Sequence, residues 1–166
     1  MKQPETVAAK LASVLAGEIV RNFGEVRLRV SGTSMMPSLL PGDLLSVQRA
    51  SVSEISSGEI VLCSREERLF AHRVVARWGS PGEPLLITRG DRLNHNDPPV
   101  CSPELLGRVT SIQRGRGRGV RQVAQPCGPD YLMLRALRSS DRATYLYLRL
   151  AALWRELFPR RTKCRV

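Results

Sequence analysis

Lysine is nearly missing from this chain: Lys2, Lys10 and Lys163 are the only ones, so none lies between residues 11 and 162. A catalytic amine placed inside the folded core is thereby excluded. Histidine is scarcer still, with His72 and His95 alone, so any general base of the imidazole type must be one of these two. Aromatics make up 5% of the residues, thin for a surface that stacks nucleic-acid bases, and no helix-turn-helix pattern is present. No apolar run reaches the ~20 residues that a membrane-spanning helix needs. The most apolar N-terminal stretch, Val7 to Ile19, is interrupted by Lys10 and Glu18, and it lacks the basic start, long apolar middle and cleavage site of an export signal. The four cysteines, Cys63, Cys101, Cys127 and Cys164, are widely spaced without a Cys-x-x-Cys pair, which points to neither a zinc site nor a disulfide framework. Cys164 stands one place off a prenylation box. These absences lead to the expectation of a reduced, cytoplasmic chain with no transmembrane segment or signal peptide, and no metal or organic cofactor is expected.

What is present divides into two parts. The 166 residues, 42% hydrophobic, suffice for one core with additions. From Arg108 to Val166 there are 14 basic and 3 acidic residues, a balance of +11, which equals the net charge of the whole chain. That basic third begins with Arg114-Gly115-Arg116-Gly117-Arg118-Gly119 and continues through Gln125-Pro126-Cys127-Gly128-Pro129, a linker composition. The expected organisation is an N-terminal amphipathic helix over 1–24, a β core over 25–113, an Arg/Gly/Pro linker over 114–129 and a basic helical extension over 130–166. In the first helix Val7, Leu11, Val14, Leu15 and Ile19 share helical spacing, and it is expected to pack on the core. In the extension, Leu146, Leu150, Leu153, Trp154 and Leu157 share one face; such a helix could lie on an anionic membrane, dock on an apolar protein surface, or contact nucleic acid, the last being the weakest reading.

The core carries the chemistry. Val26, Leu28 and Val30 alternate with Arg27 and Arg29, so a half-buried strand leads into Ser31-Gly32-Thr33-Ser34-Met35-Met36-Pro37, a Gly- and Pro-bounded turn that presents Ser34. A serine hydroxyl needs a base to become a nucleophile. His72 is the better candidate: Leu69-Phe70-Ala71-His72-Arg73-Val74-Val75-Ala76 reads as a rigid strand, whereas His95 sits in a loop of Asn, Asp and Pro. A turn serine and a strand histidine are each ordinarily structural; what points to chemistry is their conjunction with Asp91 and Asp97, either of which could orient an imidazole.

Five short segments in order resemble the signal peptidase I superfamily of serine proteases, which includes the LexA-type autoproteases. They are Ser31 to Pro37, Pro41-Gly42-Asp43, Gly58-Glu59-Ile60-Val61, His72-Arg73-Val74-Val75 and Thr88-Arg89-Gly90-Asp91, together covering about residues 26 to 113. With histidine followed by Arg-Val at the base position, the chain is similar to the endoplasmic-reticulum branch rather than the lysine branch. The resemblance implies Ser34 as nucleophile, His72 as base and Asp97 as the acid, with Asp91 as the alternative acid or a loop brace. It also implies an oxyanion turn at Gly32, Thr33 and Ser34, where Gly32 replaces a serine found in some members, and a shallow apolar substrate pocket to which Met35 or Met36 contributes.

The expected fold is mainly β. Strands fall near 26–30, 44–49, 59–63, 69–77, 84–89 and 106–113, and the resemblance implies a signal peptidase/LexA-like twisted, partly closed antiparallel sheet with an N-terminal helix and C-terminal amphipathic helices. The leading functional expectation is a serine endopeptidase acting on a peptide or preprotein. Two alternatives remain open: a catalytically silent peptide-binding module on the same fold, and a self-cleaving protein that uses the small-residue pair Ala16-Gly17.

Overall fold

The structure, a computed structural model, describes residues 4–80, 82–114 and 120–122. Helix α1 (Pro4–Phe23) precedes seven strands: β1 (Glu25–Arg29), β2 (Leu44–Gln48), β3 (Ile60–Arg65), β4 (Arg68–Ser80), β5 (Glu83–Arg89), β6 (Leu105–Gln113) and β7 (Val120–Gln122). All pairings are antiparallel, and the sheet runs β1-β2-β6-β3-β4-β5, with β7 added on β6. The mainly β class, the antiparallel pairing and the N-terminal helix are as the sequence implies. The sheet is open rather than partly closed, because β1 and β5 end its path without pairing to each other. The C-terminal amphipathic helix, with its expected docking or membrane contact, lies outside the described residues. Among the described residues no helix is long and apolar enough to cross a membrane.

The nine-residue β6 holds the sheet together. Its first half pairs with β3 and its second half with β2, with Arg108 opposite both Val61 and Gln48. At the crossover Gly107 is required by close approach: a Cβ there would lie 2.2 Å from the Gln48 carbonyl oxygen. β3 shows why the centre is stable. Ile60 and Leu62 enter one apolar cluster with Leu45, Val47 and Val109, while Val61 and Cys63 enter a second with Val74, Leu86 and Val100. Alternate side chains therefore bury on both faces.

Helix α1 ends at Gly24 (φ 77°), whose N–H donates to the Val20 carbonyl at 3.0 Å, a left-handed cap that turns the chain into β1. The helix packs on the sheet as expected, but through the face opposite to the one its spacing suggested. Ser13, Ala16, Gly17 and Val20 are buried, whereas Leu11 (58% exposed), Val14, Leu15, Ile19 and Phe23 face outward. The reason is steric: small side chains let the helix approach closely enough for Gly17 to rest near Leu106 and for the hydroxyls of Ser13 and Ser64 to bond at 2.9 Å. An apolar moment identifies the more hydrophobic face, not the face that fits the available surface.

Candidate active site

Between β1 and β2 the chain makes a long excursion pinched at its neck. The Val30 N–H donates to the Asp43 carbonyl, and the Gly42 N–H to the Val30 carbonyl, both at 2.8 Å. Within it, the Leu39 N–H reaches the Met35 carbonyl and the Leu40 N–H reaches Asp43 Oδ2, both at 2.9 Å. Met35, Met36, Leu39 and Leu40 bury beneath this turn, so apolar packing anchors one side while Ser34 stays partly exposed on the other.

β4 brings His72 against that serine. His72 Nε2 lies 3.0 Å from Ser34 Oγ, and Nδ1 lies 2.6 Å from Asp97 Oδ2. The same Asp97 oxygen accepts the Thr88 hydroxyl at 2.7 Å, and the Asp97 N–H donates to the Thr88 carbonyl at 2.8 Å. Burial pushes the Asp97 carboxyl up, but the hydrogen bonds from His72 and Thr88, with the nearby charges of His72 and Arg65, outweigh it and hold the group below the usual carboxylate range. An ionised carboxylate only accepts, so Nδ1 carries a proton, and in the neutral ring Nε2 is left to accept from the serine hydroxyl. The histidine and aspartate side chains are 9% and 14% exposed, which strengthens their interaction relative to a solvated pair.

Asp91 takes a different position. It accepts two hydrogen bonds from the Arg73 guanidinium, at 2.9 and 2.8 Å, and both side chains are buried. Arg73 also reaches the Gly58 carbonyl at 2.7 Å and Ser38 Oγ at 3.1 Å, tying β4 to the loop after β5 and to the turn that carries Ser34. His95 is exposed in its loop. Gly32 is exposed, with nothing within 4 Å of where a Cβ would stand; Thr33 meets Arg92 only at 3.4 Å.

A cleft of about 780 Å³ opens beside Ser34 between the end of β1 and the start of β4. Leu28, Val30, Leu45, Leu62 and Ala71 give it apolar walls, and Met35 forms part of its floor. Met36 is fully buried outside that lining. Lys10 and Ala12 of α1 close one end, where Lys10 pairs with Glu67 of the β3–β4 turn. Among the described residues no cluster of His, Cys, Asp and Glu could hold a metal. Every buried side-chain nitrogen or oxygen there has a hydrogen-bond partner.

Sequence reasoning did not single out Thr88 as a partner of Asp97, nor Arg65, Glu104 and Arg114 as braces. Thr88 stood in a recognised segment, so its place was visible though its bond was not. The others are joined over 39 to 71 residues, and nothing local signals them.

A family model for signal peptidase, peptidase S26, matches residues 4–124. No curated protein matches the chain.

Proposed function

The chain belongs to the peptidase S26 signal peptidase family, and from that premise we propose that it is a serine endopeptidase of the histidine-base branch, with Ser34 as nucleophile, His72 as general base and Asp97 as the orienting acid. The observation that carries this reading is the unbroken hydrogen-bond chain from Ser34 Oγ through His72 to Asp97, ending at an apolar cleft. The substrate is a peptide or preprotein, bound extended along the edge strand β1 so that its main chain adds to the sheet. A small apolar side chain beside the scissile bond enters the pocket floored by Met35.

His72 Nε2 takes the Ser34 proton as Oγ attacks the peptide carbonyl, and the resulting oxyanion is held by the Ser34 backbone N–H. Asp97, ionised, stabilises the imidazolium that forms and keeps the ring in its productive tautomer. His72 then gives the proton to the departing amine, and a water activated by the same nitrogen hydrolyses the acyl-serine ester, returning the proton to Ser34.

The test is labelling of the purified protein by a serine-reactive acylating probe, compared with Ser34→Ala and His72→Ala. Labelling lost in both variants is expected. A folded protein that takes no label would overturn the enzyme reading and leave a peptide-binding module on the same fold.

A further inference from the structure

The proposed acid rides on a loop with an unusual tethering problem. After Asp97 come Pro98 and Pro99, which have no backbone N–H. That stretch can be held only through its carbonyl oxygens, and one side chain takes both. Arg65, at the end of β3, donates to the Pro98 carbonyl at 3.2 Å and to the Pro99 carbonyl at 2.8 Å. Its guanidinium also grips Glu104 through two parallel bonds, at 2.5 and 2.8 Å. Glu104 is in turn bonded by the Cys101 N–H at 3.1 Å, so both ends of the turn that follows Asp97 are fixed to one point.

Arg65 reaches the base as well. Its Cζ lies 5.8 Å from the centroid of the Phe70 ring, and Phe70 meets His72 edge-on, with centroids 5.3 Å apart and planes at 61°. A cation over one ring and that ring against the imidazole restrict the rotation of His72. Arg65 makes no hydrogen bond to Ser34, His72 or Asp97, yet its partners adjoin two of them: the prolines that follow Asp97 and the ring that meets His72. It lies outside all five recognised segments.

We infer that Arg65 is a positioning residue, whose planar fork holds the Asp97 loop and, through Phe70, the His72 ring in register with each other. The inference rests on the proposed triad. A merely structural Arg65 would lower stability without changing the chemistry of the folded fraction. A merely electrostatic one would be replaced by lysine, which keeps the charge but cannot fork.

The experiment compares the unaltered chain with Arg65→Lys and Arg65→Gln in two readouts. The first is the second-order rate of Ser34 acylation by a small serine-reactive probe, measured at a temperature where each variant is folded. Both variants are expected to slow it by about 10²-fold, the penalty of misplacing a reacting group by about 1 Å. In an Asp97→Asn background the further loss should be under about twofold, since the group being positioned is already disabled. The second is the downfield proton resonance of His72 Nδ1–H, which reports the bond to Asp97 without any need for activity. It should be present in the unaltered protein and lost in both variants while the amide spectrum of the sheet is retained. A resonance that persists in Arg65→Gln, is missing from the unaltered protein, or an acylation loss that adds in full to that of Asp97→Asn, overturns the inference. If the resonance depends on Arg65 but the unaltered protein takes no label, the positioning role stands and the peptidase reading falls.

Discussion

Asp97 and Asp91 are neighbours in sequence with opposite surroundings, and replacing each by asparagine separates chemistry from stability. In Asp97→Asn the amide faces two donors, the Nδ1–H of His72 and the hydroxyl of Thr88, both directed at one oxygen. If the amide oxygen takes that place the bonds survive but the charge that stabilises the imidazolium is gone. If the NH2 takes it, two donors confront each other and the ring changes tautomer, leaving Nε2 protonated and unable to accept from Ser34. Either way the acylation rate should fall by about 10³- to 10⁴-fold, or ~4–5.5 kcal/mol of barrier at ~1.36 per tenfold. Asp91→Asn instead leaves the Arg73 guanidinium, 8% exposed, short of its counter-charge, which should cost about 3–5 kcal/mol of stability. Arg73 keeps the Gly58 carbonyl and Ser38 hydroxyl, so the acylation rate of the folded fraction should stay within about tenfold of the unaltered chain. Probe acylation and thermal unfolding, run side by side on both variants, decide the matter. Equal losses of acylation, or an Asp97→Asn protein that retains a tenth of the original rate, would refute the assignment.

Three further outcomes are expected. Because a Cβ at Gly32 meets nothing within 4 Å, Gly32→Ser should fold normally and add an oxyanion donor, raising the acylation rate by up to about 10²-fold; a folded variant with no gain would mean that the oxyanion does not form on that side. Glu104 is held down to about 2, against an ordinary 4.5, chiefly by its hydrogen bond from Arg65. A depressed carboxylate contributes stability that is complete above its unfolded value and disappears as pH falls through its folded one, so denaturant midpoints should decline between pH 4.5 and about 2, and Arg65→Gln should flatten that decline; an unchanged slope would contradict the pairing. Burial pushes the Cys63 thiol up to about 12, with Glu104 adding to the shift; it should resist alkylation in the native protein at mildly alkaline pH and react once denaturant is added, and rapid native labelling would show that its site opens.

How much of this molecule was legible in its residues depended on how local the cause was. β1 was readable because Val26 and Leu28 alternate with Arg27 and Arg29, and only one of its faces is buried. β4 was found but runs on to Ser80, past Gly79, because the β4–β5 hairpin continues through residues that look like turn formers. β7 has three residues between an Arg/Gly run and a Pro-rich stretch, too few to show a period, and falls inside the segment read as linker. The buried face of α1 is hidden in the sequence because Ser13, Ala16 and Gly17 carry little hydrophobic signal, although small size is what a close helix–sheet contact selects. For the candidate site, Ser34 and His72 were nameable from turn chemistry, strand pattern and the shortage of alternatives. Only the family resemblance separates Asp97 from Asp91 in the sequence, since spacing does not say which carboxylate the fold delivers to the ring.

The scarcity of lysine acquires a physical meaning in the folded core. Three arginines each join a strand or its end to a loop near the candidate site: Arg65 to Glu104, Arg73 to Asp91 and Arg114 to Asp43. Each does more than pair a charge. Arg73 and Arg114 both reach Ser38, beyond Ser34 in the β1–β2 excursion, one at its hydroxyl and the other at its carbonyl, while Arg65 takes the two proline carbonyls beyond Asp97. Holding a carboxylate and one or two carbonyls at once requires several donors fixed in a plane, which a guanidinium supplies and a single rotating ammonium does not. A buried ion pair contributes little net stability after desolvation; its return here is orientation, because the two loops involved, the one that carries Ser34 and the one after β5 that carries both Asp91 and Asp97, have little regular structure of their own. The core therefore uses its positive charges as braces, and the proton transfer proposed for it falls to an imidazole that those braces keep in line.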